Sequence, residues 1–308
     1  MSALLYYLIV LPISYLPLGI LYKFSDFLYF FFTRIFQYRK AVILGNIQRS
    51  FPNKTEAEQQ QLMKDFYRHF TDILVEGVKN LSISSDQLKR RMLVRNPEIM
   101  NELYQEKRNV ILVSGHFNNW EWLISAQNLL FKHQAFGIGM PMTNKFWDKK
   151  VNQRRERFGM QVINSSNYQI KFRTFKKKPF AVLTLGDQSP ANVSKSYWMN
   201  FLNQETAVLF GTEHMANDYN FAIVFFVVHK IKRGYYEMEL KLVTKNASTF
   251  EWGEITEIHT KLLEEEIVKN PAQWLWSHKR WKREVPQDLA TLKRKQKKHF
   301  EEKFRIKS

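Results

Sequence analysis

Cysteine is absent from the chain, which excludes disulfides, thiolate metal sites and a cysteine nucleophile. Glycine and proline are sparse, at 11 and 9 in 308 residues; no low-complexity linker and no internal repeat interrupts the sequence. Negative charge is also in short supply. Against 47 Lys and Arg stand 29 Asp and Glu, a net charge of +18, which calls for an anionic partner. Nucleic acid, anionic lipid headgroups and an acidic carrier protein all meet that requirement on composition alone. Several reactive signatures are missing as well: there is no Gly-x-Ser-x-Gly elbow, no phosphate-binding P-loop, no His-Glu-x-x-His and no Gly-x-Gly-x-x-Gly. Hydrophobic residues make up 44% and charged residues 25%, enough for one large or two small folded domains. Aromatic content is high at 15%, as suits a protein that meets lipid or buries apolar ligands.

The N-terminus is the first informative feature. Met1 to Tyr22 carries no charged side chain, and at 1.5 Å per helical residue it would reach ~33 Å, about the hydrocarbon thickness of a bilayer. Pro12 and Pro17 would kink such a helix, so a re-entrant insertion competes with a clean span. A second apolar stretch, Phe24 to Phe36, is interrupted only by Asp26 and Arg34. The segment has no basic start and no small-x-small cleavage site, so a removed signal peptide is not expected. Arg34, Arg39, Lys40 and Arg49 follow, as at a cytoplasmic membrane surface. Residues 1–40 are therefore expected to form a membrane-anchoring helix or hairpin; the alternative is a buried helical hairpin of a soluble protein.

The body alternates helical and strand patterns. Thr55 to Asn80 reads as one helix, with Thr55 and Glu58 as a capping box and apolar residues at Leu62, Phe66, Phe70, Ile73 and Leu74. Pro97 starts a short helix. Strands are expected at Val110–Val113, Phe180–Leu185, Ala222–Val228 and Tyr235–Val243. Helices are expected near Trp120–Phe131, Lys145–Phe158, Ile170–Lys177, Val208–Asp218 and Ile255–Lys269. The pattern predicts an α/β domain over residues 41–286, a central sheet flanked by helices. The sheet is expected to be mixed, because the last two strands join directly through Lys232-Arg233-Gly234. Residues 287–308 form a basic tail, either a solvated helix, a partly disordered arm or a clamp on anionic lipid.

Chemistry concentrates after the first strand, in Ser114-Gly115-His116-Phe117-Asn118-Asn119-Trp120-Glu121. His116 falls on a strand-to-helix turn, where α/β proteins place reactive groups. Asn118 or Asn119 can cap the following helix. On one continuous helix, residues five apart diverge by about 140°. With His116 in the loop and Glu121 in the first turn, however, the carboxylate can fold back to the imidazole. Glu121 would then fix the tautomer while His116 takes a proton from a hydroxyl. Arg154, Arg155 and Arg157 end a basic helix suited to phosphate oxygens, and Asp187 lies at another strand's carboxyl end. The closing run Asn270 to Lys282 interleaves Trp with Arg, Lys and His, which suits either a membrane–water interface or the edge of a soluble core.

Taken together, Gly-His-Phe-x-Asn-Trp-Glu, Arg155-x-Arg157-Phe158-Gly159, Gly186-Asp187-Gln188, Phe210-Gly211-Thr212 and Asn270-Pro-x-Gln-Trp-Leu-Trp-x-His-x-Arg-Trp-Lys282 resemble the bacterial lipid A biosynthesis acyltransferases. Asn46 to Pro52 is similar to that family's early Asn-…-Phe-Pro segment, so the resemblance runs from the N-terminus to about Lys282. It implies a membrane-associated α/β acyltransferase at the cytoplasmic side of the inner membrane. Such an enzyme moves a fatty acyl chain from acyl carrier protein, or acyl-CoA, to a hydroxyl of a lipid A precursor. His116 would be the general base with Glu121 as its partner. Arg154, Arg155, Arg157 and Asn119 would contact the acceptor, and Asp187 and Gln188 would shape the transfer site. No metal, bound cofactor or nucleic acid is implied. Glu121 stands where broader glycerolipid acyltransferases carry Asp, and their Phe-Pro-Glu-Gly block has no clear counterpart. A lysophospholipid or aminolipid acceptor therefore stays open, as does a basic membrane-docking scaffold without activity.

Overall fold

The computed structural model describes residues 1–139 and 141–305. In chain order its strands are β1 (Met92–Val94), β2 (Val110–Ser114), β3 (Gln134–Gly139), β4 (Gln161–Asn164), β5 (Phe180–Leu185), β6 (Ser196–Phe201), β7 (Gln204–Leu209), β8 (Ala222–Lys232) and β9 (Tyr235–Thr244). Seven of them form one sheet in the order β1-β9-β8-β2-β5-β3-β4, and β6 and β7 pair separately. β8, β2, β5, β3 and β4 run parallel. β9 is antiparallel to β8 and β1 lies parallel to β9. The α/β fold with a mixed sheet is thus present, and its mixing arises at the Lys232-Arg233-Gly234 turn as expected. β2 is buried along its whole length, the signature of a central parallel strand covered on both faces. Val110 and Leu112 join Val224 and Phe226 in packing against Trp122 and Leu123 on one face. Ile111, Val113 and Val182 pack with Phe172, Met215 and Ile255 on the other.

The chain leaves β2 for β3, β4 and β5 on one side of it and later for β8 and β9 on the other. Around that reversal the carboxyl ends of parallel strands open a crevice. Helix Trp120–Leu130 follows β2, helix Lys145–Glu156 follows β3, and helix Gly211–Tyr219 precedes β8.

At the N-terminus the apolar stretch expected to form an anchoring helix or hairpin is divided into short segments. Helical turns run from Ser2–Leu5 through a π-helical turn at Tyr6–Val10 to Leu11–Tyr15, then stop. Leu16 and Pro17 take extended backbone angles, ψ 147° and 144°, because a residue before proline is driven out of the helical region. A new helix, Leu18–Phe30, continues into a second π-helical turn, Phe31–Ile35. Among the described residues no helix is long and apolar enough to cross a membrane. Both segments lie on helix Glu56–Lys79. Ser25 donates to Asp72 Oδ1 (2.7 Å), and Lys79 Nζ donates to the carbonyls of Ser14 (3.0 Å) and Leu16 (3.1 Å), satisfying acceptors that the helix end leaves open. Leu21 and Ser25 face inward, while Ile20, Phe24, Phe27 and Phe30 are exposed.

Two further differences concern the C-terminal third. Val208, expected to open a helix, lies in β7, and the helix begins only at Gly211. Strands β6 and β7 form a hairpin whose turn residues, Leu202 and Asn203, both have positive φ (51° and 63°), the geometry that matches strand twist. The basic tail folds as helix Leu289–Phe304, with Phe300 buried against Tyr197, Met199, Val208 and Phe210.

Candidate active site

The turn after β2 is shaped by what lies beneath it. Ser114 pairs with Leu185, and the Gly186 N–H reaches the Ser114 carbonyl at 2.8 Å, so the ends of β2 and β5 are locked side by side. A Cβ on Gly115 would come within 2.6 Å of Leu263 and 2.9 Å of the Asp187 carboxyl; only glycine fits. That close approach lets Asp187 reach under the turn. Its Oδ2 accepts the main-chain N–H of His116 and the indole N–H of Trp274, both at 2.8 Å, and its Oδ1 lies 2.6 Å from His116 Nδ1. Burial alone would raise the Asp187 carboxyl; the facing His116 and these donated hydrogen bonds instead bring it down to about 2.

Here the sequence expectation is corrected: the partner of His116 Nδ1 is Asp187. Glu121 sits in the first turn of helix Trp120–Leu130, where two guanidinium groups from helix Lys145–Glu156 claim its carboxylate. Arg155 Nη2 lies 2.6 Å from Oε1, and Arg154 pairs with Oε2. Burial pushes Glu121 up, but the two arginines, with a smaller contribution from His116, hold it down to about 2. Bidentate guanidinium contact satisfies a carboxylate more fully than one imidazole N–H could. Arg154 and Arg155 are thus gathered beside the site, whereas Arg157 is occupied elsewhere. Its guanidinium donates to the carbonyls of Asn80 (2.7 Å) and Ile83 (3.1 Å), closing the end of helix Glu56–Lys79.

Asn119, expected to touch substrate, is completely buried. Its Oδ1 caps the helix by accepting the Trp122 N–H (2.9 Å), and its Nδ2 donates to Glu76 Oε2 (2.6 Å). Glu76 was not anticipated. This fully buried carboxyl also accepts from Tyr22 (2.8 Å) and Tyr236 (2.7 Å), and burial raises it to about 7. Asn118 turns with φ 50° and hands its side-chain amide to the Val228 carbonyl (2.5 Å) and Gln273 Oε1 (2.7 Å). The closing Trp-rich run therefore belongs to the site's foundation. Trp274, Trp276 and Arg280 are buried, so the membrane-interface reading of these residues gives way to the core-edge one. A glutamine and a tryptophan after Asn270-Pro271 were the available signal, but their targets, Asn118 and Asp187, lie 155 and 87 residues upstream.

His116 Nε2 points outward, 3.3 Å from the Gln188 amide. The next main-chain N–H, that of Ser189, donates to His278 Nε2 (3.0 Å), and burial lowers the His278 imidazole toward its neutral, accepting form. His116, Arg155 and Gln188 stand at one end of a cavity of about 530 Å³. Its walls come from β3, β5 and helix Gly211–Tyr219, with Ile138, Leu183, Leu185 and Met215 among the lining groups. Histidine, carboxylate and apolar cavity together can activate a hydroxyl beside a hydrocarbon chain. Among the described residues no three His, Asp or Glu side chains converge so as to hold a metal ion.

Comparison with known proteins agrees with this architecture. The family model for bacterial lipid A biosynthesis acyltransferases matches residues 1–283. The chain is 20% identical over 246 residues to the lipid A biosynthesis palmitoleoyltransferase of Escherichia coli strain K12, covering 79% of each chain. It is 21% identical over 268 residues to the lipid A biosynthesis lauroyltransferase of the same strain, covering 87% of each. Since the family match takes in the N-terminal helices, the sheet and the histidine turn alike, this enzyme is an acyltransferase, and the chain belongs to the bacterial lipid A biosynthesis acyltransferase family.

Proposed function

We propose that the protein transfers a fatty acyl chain from an acyl carrier protein or CoA thioester to a hydroxyl of a lipid A precursor, at the cytoplasmic face of the bacterial inner membrane. The observation that carries this reading is the His116–Asp187 pair, with His116 in the lining of the apolar cavity. With Nδ1–H donated to Asp187, the imidazole leaves Nε2 unprotonated and facing the cavity. The acceptor hydroxyl gives its proton to Nε2 as its oxygen attacks the thioester carbonyl. Asp187 steadies the imidazolium that forms. Collapse of the tetrahedral intermediate breaks the carbon–sulfur bond, and the imidazolium proton passes to the departing thiolate. The ester product and free thiol result, with no acyl group on the protein. The Gln188 amide beside Nε2 is positioned to donate to the developing oxyanion.

Glu121 acts in this scheme through its arginines. It fixes Arg154 and Arg155 at the edge of the site, where their positive charge suits a phosphorylated acceptor. Attachment to the membrane rests on the exposed aromatic face of the N-terminal helices lying in the interface plane beside basic residues, without spanning. The donor chain occupies the 530 Å³ cavity. Mass spectrometry of lipids from cells lacking the gene, complemented with wild type or His116→Ala, tests the reading. Lipid A short of one acyl chain, restored by wild type alone, is expected. Unchanged lipid A with another acylated lipid missing would move the acceptor to a lysophospholipid or aminolipid, and a stable acyl adduct on the protein would overturn the direct transfer.

A further inference from the structure

A second apolar cavity, of about 410 Å³, lies on the other side of the Glu121–arginine cluster. Its walls are Leu74, Gly77 and Val78 of helix Glu56–Lys79, Tyr6 and Val10 of the first helical segment, and Val151 of helix Lys145–Glu156. Its inner end is closed by Trp120, Glu121 and Arg154. The Trp120 ring stands edge-on to the His116 imidazole, centroids 5.1 Å apart. The two cavities share no lining residue: Arg155 borders the first and Arg154 the second, although both bind the same carboxylate. Lys150, also in the lining, donates from Nζ to the Tyr7 hydroxyl at 2.9 Å. Leu4, Leu5, Leu8 and Ile9 are exposed on the first helical segment.

We propose that this second cavity holds a hydrocarbon chain of the acceptor lipid while the first holds the donor chain, an inference that rests on the acyl-transfer reading above. Three observations select that occupant. The cavity is apolar along its walls, so it suits a chain and not a sugar. It is continuous with the exposed apolar residues of the first helical segment, so a chain can enter from lipid without crossing water. It ends in a cationic and aromatic floor beside His116, which is where the polar part of an amphiphile anchored by its chain would come to rest. A single cavity would force donor and acceptor chains to alternate. Two cavities, one lined by His116 and the other by Trp120, whose ring stands against that imidazole, let both be bound at once, as direct transfer between them requires.

Gly77 makes the test possible. A Cβ built there meets nothing within 4 Å, and leucine is a better helix former than glycine, so Gly77→Leu adds bulk at the cavity wall with no clash at its Cβ. Gly211, also free of neighbours within 4 Å, borders the first cavity and provides the matching Gly211→Leu. Steady-state kinetics would use an acyl carrier protein donor series and a lipid A precursor with full-length or shortened chains. Gly77→Leu is expected to raise the KM for the full-chain precursor about tenfold or more and to abolish its dependence on acceptor chain length. It should leave the donor chain-length profile in place, whereas Gly211→Leu should do the reverse. An unchanged acceptor KM in Gly77→Leu, or a shifted donor profile, overturns the assignment. Photolabelling in phospholipid vesicles, with a phospholipid carrying a diazirine at one chain end, separates this inference from the reading it rests on. Should wild type fail to acylate the precursor while label still reaches Leu74, Val78 or Val151 and is lost in Gly77→Leu, the chain site stands and the acceptor identity falls. Label confined to Met160 and Met215 of the first cavity, or to the outer surface, removes the chain site.

Discussion

Asp187 gathers more of the site than any other side chain. One carboxylate receives the His116 ring, the His116 main-chain N–H and the Trp274 indole. Replacing it by Asn puts an N–H₂ group against at least one of those donors, and the imidazole is driven toward the opposite tautomer. Asp187→Asn is expected to lower kcat by about 10²- to 10⁴-fold with little change in the KM of either substrate, since the carboxylate is buried beneath the turn and occupied by His116 and Trp274. A rise in KM with kcat preserved would place Asp187 in substrate binding instead. Both members of this pair were legible one at a time, each as a polar residue just past an apolar strand. Their partnership was not, because it depends on β5 lying next to β2, and spacing along the chain says nothing about which strands are neighbours. The five-residue interval to Glu121 looked like the shorter route. The arginines that claim Glu121 come from a helix more than 30 residues away in sequence.

Elements with continuous or alternating apolar patterns were the readable ones. β2, β5 and β8 each open with a continuous apolar run, and β9 alternates Tyr236, Met238 and Leu240 with charged residues. β3 carries two glycines and β4 has four residues, so neither stands out from its surroundings. The β6–β7 hairpin was hidden because Leu202-Asn203 lacks the glycine that usually marks a tight turn. Helix Glu56–Lys79 was announced by its capping box, but its buried Glu76 was not, since a carboxyl in the last turn of an amphipathic helix normally faces water. Burial raises that carboxyl from its ordinary range to about 7. Between roughly pH 4.5 and 7 the folded protein holds a proton that the unfolded chain has released. The Glu76 contribution to stability is therefore full below that window and falls as pH rises through it, by up to about 1.4 kcal/mol per pH unit. Urea unfolding at several pH values should show this slope in wild type and its loss in Glu76→Gln; equal slopes in the two proteins would mean that Glu76 is ionised throughout.

For the whole molecule, the proposed membrane attachment rests on the N-terminal helices. Their apolar length and the break at Pro17 were legible in the sequence, but their seating on helix Glu56–Lys79 required tertiary contacts to see. Phe27 and Phe30 are exposed at 62% and 54%, so Phe27→Glu with Phe30→Glu should leave the fold intact. Binding to vesicles containing anionic phosphatidylglycerol should weaken by at least about tenfold, and added salt should weaken wild type further. Vesicle binding unaffected by the double substitution would locate the membrane contact on another face. A different consequence follows from the seating of the histidine turn on the end of the chain. Phe117 bridges to Trp274, Asn118 bonds to Gln273, and Asp187 is completed by Trp274. During synthesis, then, β2 and its turn leave the ribosome long before the residues that brace them. A chain cut short before Gln273 would keep its N-terminal helices and its sheet but lose the contacts that hold the histidine turn in place.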